Sequence, residues 1–303
     1  MSHGSEKKDA RSILCYSLDM DIIRITDLHD SRLEMYTELN EVQMKRFYEP
    51  AGGVFIAETE LVISRALEKG CRPLSFLVEE KCFESGMLDT LLKAAGPWPW
   101  YCDSDAAETF SKLPVFVAPL DVINGLTGYN LTRGVLCAME RPKPLEPEGL
   151  LEYGSRVCVL EDVMNPTNVG AIFRSAAALG IDAVLLTAAC SDPLYRRAAR
   201  VSMGTVFALP FAFFDKRTDY MAVLKKTGYT IVSMALTEDA IPLSSPLLKD
   251  HDRLAVIFGT ESTGIKKETL AASDHIAIIP MWNGVDSLNV AAASAVTFWE
   301  LCR

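Results

Sequence analysis

The chain contains no apolar run approaching the length that would cross a bilayer, so no membrane-spanning helix is expected. Its first eleven residues are polar and charged, with no apolar stretch behind them. Residues 1–20 are therefore expected to be a disordered extension rather than a secretory signal. No two of the eight cysteines sit at CxxC spacing, and none pairs with one of the four histidines at zinc-ligand spacing, so no metal is expected. Several cysteines, Cys158 among them, lie inside apolar runs. Buried, reduced thiols and a cytoplasmic location follow as expectations. The chain also lacks a GxGxxG fingerprint and a lysine-bearing phosphate loop, which argues against a Rossmann-type nucleotide-dependent oxidoreductase. Nor is there an excess of positive charge. The net charge is −10, with 16 basic against 24 acidic residues in 1–150 and 14 against 16 in 151–303. A polyanionic partner would have to be met by a local basic patch.

What is present suggests two cores. Hydrophobic residues make up 49% of the 303. A seam falls at 140–149, where Pro142, Pro144, Pro147 and Gly149 interrupt a polar stretch. It separates an N-terminal α/β domain over 21–145 from a C-terminal domain over 151–303. Before the seam, 31–47 reads as a surface helix and 60–69 as a second helix. Strands are expected over 73–78, 115–117 and 134–139. After it, strands over 156–160, 182–187, 230–234, 254–258 and 276–280 alternate with helices over 168–179, 198–203 and 220–226. A final helix runs from near Ser287 to Cys302. This alternation predicts a mostly parallel sheet covered on both faces.

Ligands of such sheets bind beyond the carboxyl ends of the strands, and three loops there carry unusual residues. The first, 161–175, turns at Pro166, offers Asn168 as a helix N-cap and Gly170 for close backbone approach, and then places Arg174 in an apolar helix. The second, 258–265, brackets the Glu261 carboxylate between Gly259 and Gly264. The third, 279–290, has a turn at Gly284, then Ser287 as an expected N-cap, with Asn289 beyond what capping needs. Ordinary capped turns account for some of these residues but leave Arg174 and Asn289 unexplained.

Taken together, the three loops resemble, in order, the three motifs of the SpoU (TrmH-like) branch of the SPOUT RNA methyltransferases. The resemblance is close over 153–303 and weaker before it. There, 55–70 and 130–138 are similar to the small substrate-binding domain often fused in front, whose fold is like that of certain ribosomal proteins. Two departures are visible: Ala57, Glu58 and Thr59 stand where that domain is usually glycine-bearing, and Ser262 and Thr263 where the second motif is richer in glycine. The resemblance implies a deep trefoil knot in the C-terminal α/β domain, and a homodimer built through that domain with the site at the interface. The apolar last helix, with Val296, Phe298 and Trp299, is compatible with such an interface and equally with plain core.

It also implies a reaction: transfer of a methyl group from S-adenosyl-L-methionine to a ribose 2′-hydroxyl of RNA, ribosomal RNA before transfer RNA. Main-chain groups at Gly259, Ile279, Met281 and Leu288 would hold the adenosine. Arg174 is expected at the centre, as a phosphate clamp rather than a base because a guanidinium stays protonated. Asn168, Ser287 and Asn289 would complete the polar wall, with Glu261 orienting Arg174 or the loop. Arg196 and Arg200, at i, i+4 spacing on one helix face, could track RNA phosphates, although a solvated face is the commoner origin of such a run. The competing reading is an RNA-binding or ribosome-assembly factor that kept the fold without the reaction.

Overall fold

The computed structural model describes residues 20–27, 29–37, 53–94, 112–127 and 134–302. The expected extension lies outside them except for Met20, which already belongs to a strand. Most of the helix expected over 31–47 also lies outside, with one turn present at Glu34–Thr37, α1.

The first sheet has five strands: β1 (Met20–Arg24), β2 (Val54–Glu58), β3 (Pro73–Glu79), β4 (Leu113–Ala118) and β5 (Val135–Glu140). Their spatial order is β1-β4-β3-β5-β2, with β5 antiparallel to both its neighbours. Alternation along β2 sends Phe55 and Ala57 into one core and Val54 and Ile56 into the other, so both faces are covered. Helix α2 (Glu60–Glu68) follows β2 directly and buries Val62, Ile63, Ala66 and Leu67 at helical spacing. Shorter helices α3 (Glu80–Glu84), α4 (Met87–Ala94) and α5 (Leu120–Thr127) complete this half.

Regular structure reaches into the proline-rich stretch from both sides. β5 runs through Glu140, and Pro147 opens helix α6 (Pro147–Tyr153), because the first helical turn needs no N–H from proline. The connection is also fastened. Arg141 donates its backbone N–H to Gly53 O at 3.0 Å and pairs with the buried Asp192 at 2.6 Å.

The second sheet is parallel throughout: β6 (Arg156–Leu160), β7 (Ala183–Leu186), β8 (Phe211–Phe213), β9 (Thr230–Met234), β10 (Ile241–Pro242), β11 (Leu254–Phe258) and β12 (His275–Ile278), ordered β10-β12-β9-β11-β6-β7-β8. Cys158, Leu160, Val256 and Phe258 face the side of α7 (Pro166–Ala178) and α11 (Val290–Leu301). Val157, Val159, Ala255 and Ile257 face the side of α6, α9 (Tyr220–Lys226) and α10 (Lys267–Ala272). β12 lies between β9 and β10, which are consecutive in the chain. Ala235 N–H donates to Ala277 O at 3.1 Å on one side of it, and Leu243 N–H to Ile278 O at 2.8 Å on the other. The segment 235–240 thus bridges across β12, whose chain leaves from between the two arms.

The two sheets share a core at α8 (Arg196–Val201), which packs on β2. Phe55 meets Phe207 with ring centroids 5.6 Å apart. The two arginines expected on a phosphate track have a protein partner here. Arg196 and Arg200 both pair with Glu58, at 2.9 and 3.1 Å, and that carboxylate is 3% exposed. Their i, i+4 spacing serves to grip one buried charge across the domain boundary. Because a buried charge stripped of its partners is costly, and the converse loss strands two half-buried guanidinium groups, Glu58→Ala is expected to destabilise the protein by about 3 kcal/mol. Urea unfolding would register this as a lowered midpoint.

All six described cysteines, Cys71, Cys82, Cys137, Cys158, Cys190 and Cys302, are free thiols. Burial pushes Cys71 up to about 12 and Cys302 up to about 11, so both stay protonated and unreactive. Among the described residues, no helix is long and apolar enough to cross a membrane, and no cluster of three or more His, Cys, Asp or Glu could hold a metal ion.

Candidate active site

The three loops meet at the carboxyl ends of β6, β11 and β12. Two caps fall elsewhere than expected, and the shift explains the site. Asn165, not Asn168, caps α7 by accepting from Thr167 N–H at 2.9 Å, with Pro166 in the first helical position. Asn168 is thereby placed inside the first turn, 5% exposed, with its amide directed sideways. Asn289, not Ser287, caps α11, accepting from Ala291 N–H at 3.0 Å. A cap uses the amide oxygen and leaves the NH₂ to donate elsewhere.

Those amides converge on one carboxylate. Asn168 Nδ2 donates to Glu261 Oε1 at 2.7 Å, and Asn289 Nδ2 to the same oxygen at 2.6 Å. Asn289 Nδ2 also lies 3.1 Å from Asn168 Oδ1. Three loops that are distant in sequence are joined by one triangle of charge-assisted hydrogen bonds. Through these contacts Glu261 ties the second loop to the first and the third.

The second loop is folded tightly. Thr260 and Gly264 form an isolated antiparallel bridge, with Gly264 N–H donating to Thr260 O at 2.9 Å. Gly264 sits at φ +69°, and a Cβ at Gly259 would meet the Gly264 carbonyl carbon and oxygen at 2.4 Å. The two glycines are therefore steric requirements of the loop. The third loop reverses over Trp282–Val285, with Asn283 at φ +58° and Gly284 at φ +71° and Val285 N–H donating to Trp282 O at 3.2 Å. Two successive left-handed residues make a type I′ turn. Ile279 and Met281 are half-buried beside it, while Ser287 and Leu288 are exposed.

The sequence reading overlooked a floor beneath the second loop. Glu161, at the end of β6, is 1% exposed and accepts from Lys266 N–H at 2.7 Å, from Thr269 Oγ1 at 2.6 Å and from the Tyr220 hydroxyl. Burial, and then the adjoining Glu161 carboxylate, push the Tyr220 phenol well above its usual range, which keeps it a donor. Beside it, Asp162 accepts from Thr187 Oγ1 at 2.7 Å and pairs with Lys266 Nζ at 2.7 Å. Burial alone would raise the Asp162 carboxyl. The Lys266 ammonium and the Thr187 hydroxyl outweigh it and hold that carboxyl below its usual value. A carboxylate ending a buried strand is the sequence signal that could have marked Glu161.

Arg174 is not brought to the triangle within one chain. Six residues beyond Asn168 on α7, it lies roughly 9 Å along the axis and about two-thirds of a turn past a full one. It is exposed and borders a cleft of about 500 Å³ between the domains, facing Arg65 and Lys69. Gly170, between them, serves packing: a Cβ there would meet Ala198 O at 2.3 Å, so α7 and α8 touch by their backbones.

Comparison with known proteins gives the family. Residues 155–299 match the SpoU rRNA Methylase family. An uncharacterized tRNA/rRNA methyltransferase of Mycobacterium bovis is 33% identical over 287 residues, spanning 94% of this chain and 93% of its own. The 23S rRNA (guanosine-2′-O-)-methyltransferase of Acinetobacter baylyi is 30% identical over 206 residues, or 66% of this chain and 82% of its own. In fold, an AdoMet-bound rRNA methyltransferase from Sinorhizobium meliloti has a TM-score of 0.73 at 21% identity, covering 92% of this chain and 97% of that one. The motif-bearing loops lie inside the matched segment and the likeness to the mycobacterial protein runs nearly end to end: the chain belongs to the SpoU rRNA methylase family.

Proposed function

We propose that the protein methylates a ribose 2′-hydroxyl of RNA, ribosomal RNA before transfer RNA, using S-adenosyl-L-methionine. The observation that carries the reading is the Asn168–Glu261–Asn289 triangle, which fixes three strand-end loops against one another. The cradle suits an adenosine. Gly259 and Gly264 bring backbone close on one side, and half-buried Ile279 and Met281 offer apolar walls with main-chain donors and acceptors beside Leu288. When bound there, the cofactor supplies an electrophilic methyl group. The chain's own residues must orient the hydroxyl and accommodate its proton. Arg174, protonated, holds a phosphate of the acceptor nucleotide and so orients the ribose, with the bound phosphate assisting deprotonation of the hydroxyl. Ser287, exposed on the third loop, contacts the ribose.

Within one chain, Arg174 and the triangle occupy different faces of α7. A homodimer that completes the site with a second copy accounts for both. The exposed apolar residues Trp282, Val285 and Leu288 on the third loop and Val296 and Trp299 on α11 form the matching surface. The bridge of 235–240 across β12 supports the trefoil knot implied by the motifs. Free, protonated thiols are in keeping with a reducing cytoplasm.

The test is transfer of labelled methyl from S-adenosylmethionine into total RNA lacking its native methyls, followed by nucleoside analysis. Label in 2′-O-methylated nucleosides of ribosomal RNA is expected. Label in a base would refute the chemistry. Label confined to transfer RNA would move the substrate. Cofactor binding without any transfer would favour the assembly-factor reading.

A further inference from the structure

The cleft beside Arg174 continues into a second cavity of about 920 Å³, lined by Arg141, Lys143, Pro210, Phe211 and Phe213. Lys69, Phe207 and Ala208 border both, so the two are chambers of one groove between the domains. It starts at Arg174 and ends at the connection 141–145.

Two features of its wall are chemical rather than merely apolar. Half-buried phenyl rings follow one another along it. Phe207 packs on Phe55, and Phe211 meets Phe173 and Phe213 edge to face at 5.6 and 6.4 Å. Packing from behind holds these rings as a rigid platform. The charge facing the groove is also positive, in a chain of net charge −10. Lys69 and Lys143 are exposed, and among the described residues no ion pair engages either. The nearby acids are engaged: Asp192 pairs with Arg141 at 2.6 Å, and Glu68 accepts from Ser64 at 2.8 Å. Among the described residues, this groove is a local basic patch of the kind that an acidic chain needs for a polyanion.

We propose that the groove binds an unpaired RNA segment flanking the acceptor nucleotide, with bases against the Phe207–Phe211–Phe213 wall and phosphates on Lys69 and Lys143. Rigid aromatic faces beside cations are the features that single-stranded nucleic acid requires, since every base has a face to stack and every linkage a charge to neutralise. Continuity with Arg174 would deliver that strand to the reacting centre. The inference rests on the RNA-methylation reading for its substrate class.

The test uses the full chain and a fluorescein-labelled oligouridylate of roughly twelve nucleotides. Wild type is expected to bind it with salt-dependent affinity. The Lys69→Gln/Lys143→Gln double variant should bind about tenfold more weakly. Its plot of log affinity against log salt should be shallower by about 1.4, or roughly 0.7 per lost phosphate contact. Phe207→Leu, which keeps an apolar contact to Phe55, should weaken binding about tenfold at unchanged slope. S-adenosylmethionine affinity, followed by calorimetry, should be unchanged in the lysine variant. Wild-type slope and affinity in the lysine variant would overturn the proposal, as would failure of wild type to bind the oligonucleotide. If wild type methylates RNA while the lysine variant keeps its KM for RNA, the groove fails and the methylation reading stands. If no RNA is methylated but the lysine variant still loses the oligonucleotide, the groove stands and the methylation reading fails.

Discussion

Arg174→Ala is expected to lower kcat for methyl transfer by about 10²- to 10³-fold while leaving the fold and cofactor affinity intact. The loss is of the order seen when one preorganised charged donor is removed from a reacting centre. Stability should move by no more than about 0.5 kcal/mol, because the side chain is exposed. Cofactor affinity should hold, because the triangle that joins the three loops contains Asn168, Glu261 and Asn289 and not Arg174. Arg174→Lys separates two roles. A phosphate clamp depends on the planar fork, so lysine should recover a minor part of the rate, whereas a need for positive charge alone would let it recover most. Mixing then tests whether the site spans two copies. Arg174→Ala and Asn289→Ala chains, each inactive alone, should regain about a quarter of wild-type sites when reassociated at equal concentration, because half the dimers are then mixed and each holds one intact site. Absence of recovery between chains that demonstrably exchange would place Arg174 and the triangle in the same subunit's site. A kcat for Arg174→Ala within a few-fold of wild type would remove it from the reacting centre altogether.

Much of the fold was legible because parallel, doubly covered strands are continuous apolar runs. Leu254–Phe258, Thr230–Met234 and the helix Tyr220–Lys226 fall where periodicity puts them. β8, only Phe211–Phe213, and β10, only Ile241–Pro242, are too short for any period to register. Part of the proline-rich stretch is helical, because prolines that break a helix interior can open one, as Pro147 does. The hydrogen-bond partners of the candidate site residues were not legible. Local pattern makes Asn168 and Ser287 plausible caps. Asn165 and Asn289 take those positions in the structure, and the displaced Asn168 amide turns to Glu261, 93 residues away. No window of sequence contains that distance. The same holds for Arg196 and Arg200: their spacing reveals a shared face, while Glu58, 138 residues before Arg196, decides what the face does.

Gly259→Ala should abolish cofactor binding more completely than any substitution in the triangle, through backbone geometry alone. The added methyl group would sit 2.4 Å from the Gly264 carbonyl carbon and oxygen and 2.6 Å from Ile265 N. All three are main-chain atoms, so no rotamer relieves the clash. The Thr260–Gly264 bridge must open, and Glu261 is carried away from both amides. Asn168, buried at 5% exposure, is then left with its NH₂ unpartnered by the loop. S-adenosylmethionine affinity is expected to fall at least about 100-fold, equivalent to roughly 2.8 kcal/mol at 1.4 kcal/mol per decade. Global stability should suffer less, because the far end of the loop is held independently by Glu161 through Lys266 N–H and Thr269. Calorimetric titration beside thermal unfolding reads both quantities. Lost binding with a retained cooperative transition is the expected pair. Retained binding would mean that the cofactor tolerates an open loop, and the closed bridge would then have no part in holding it.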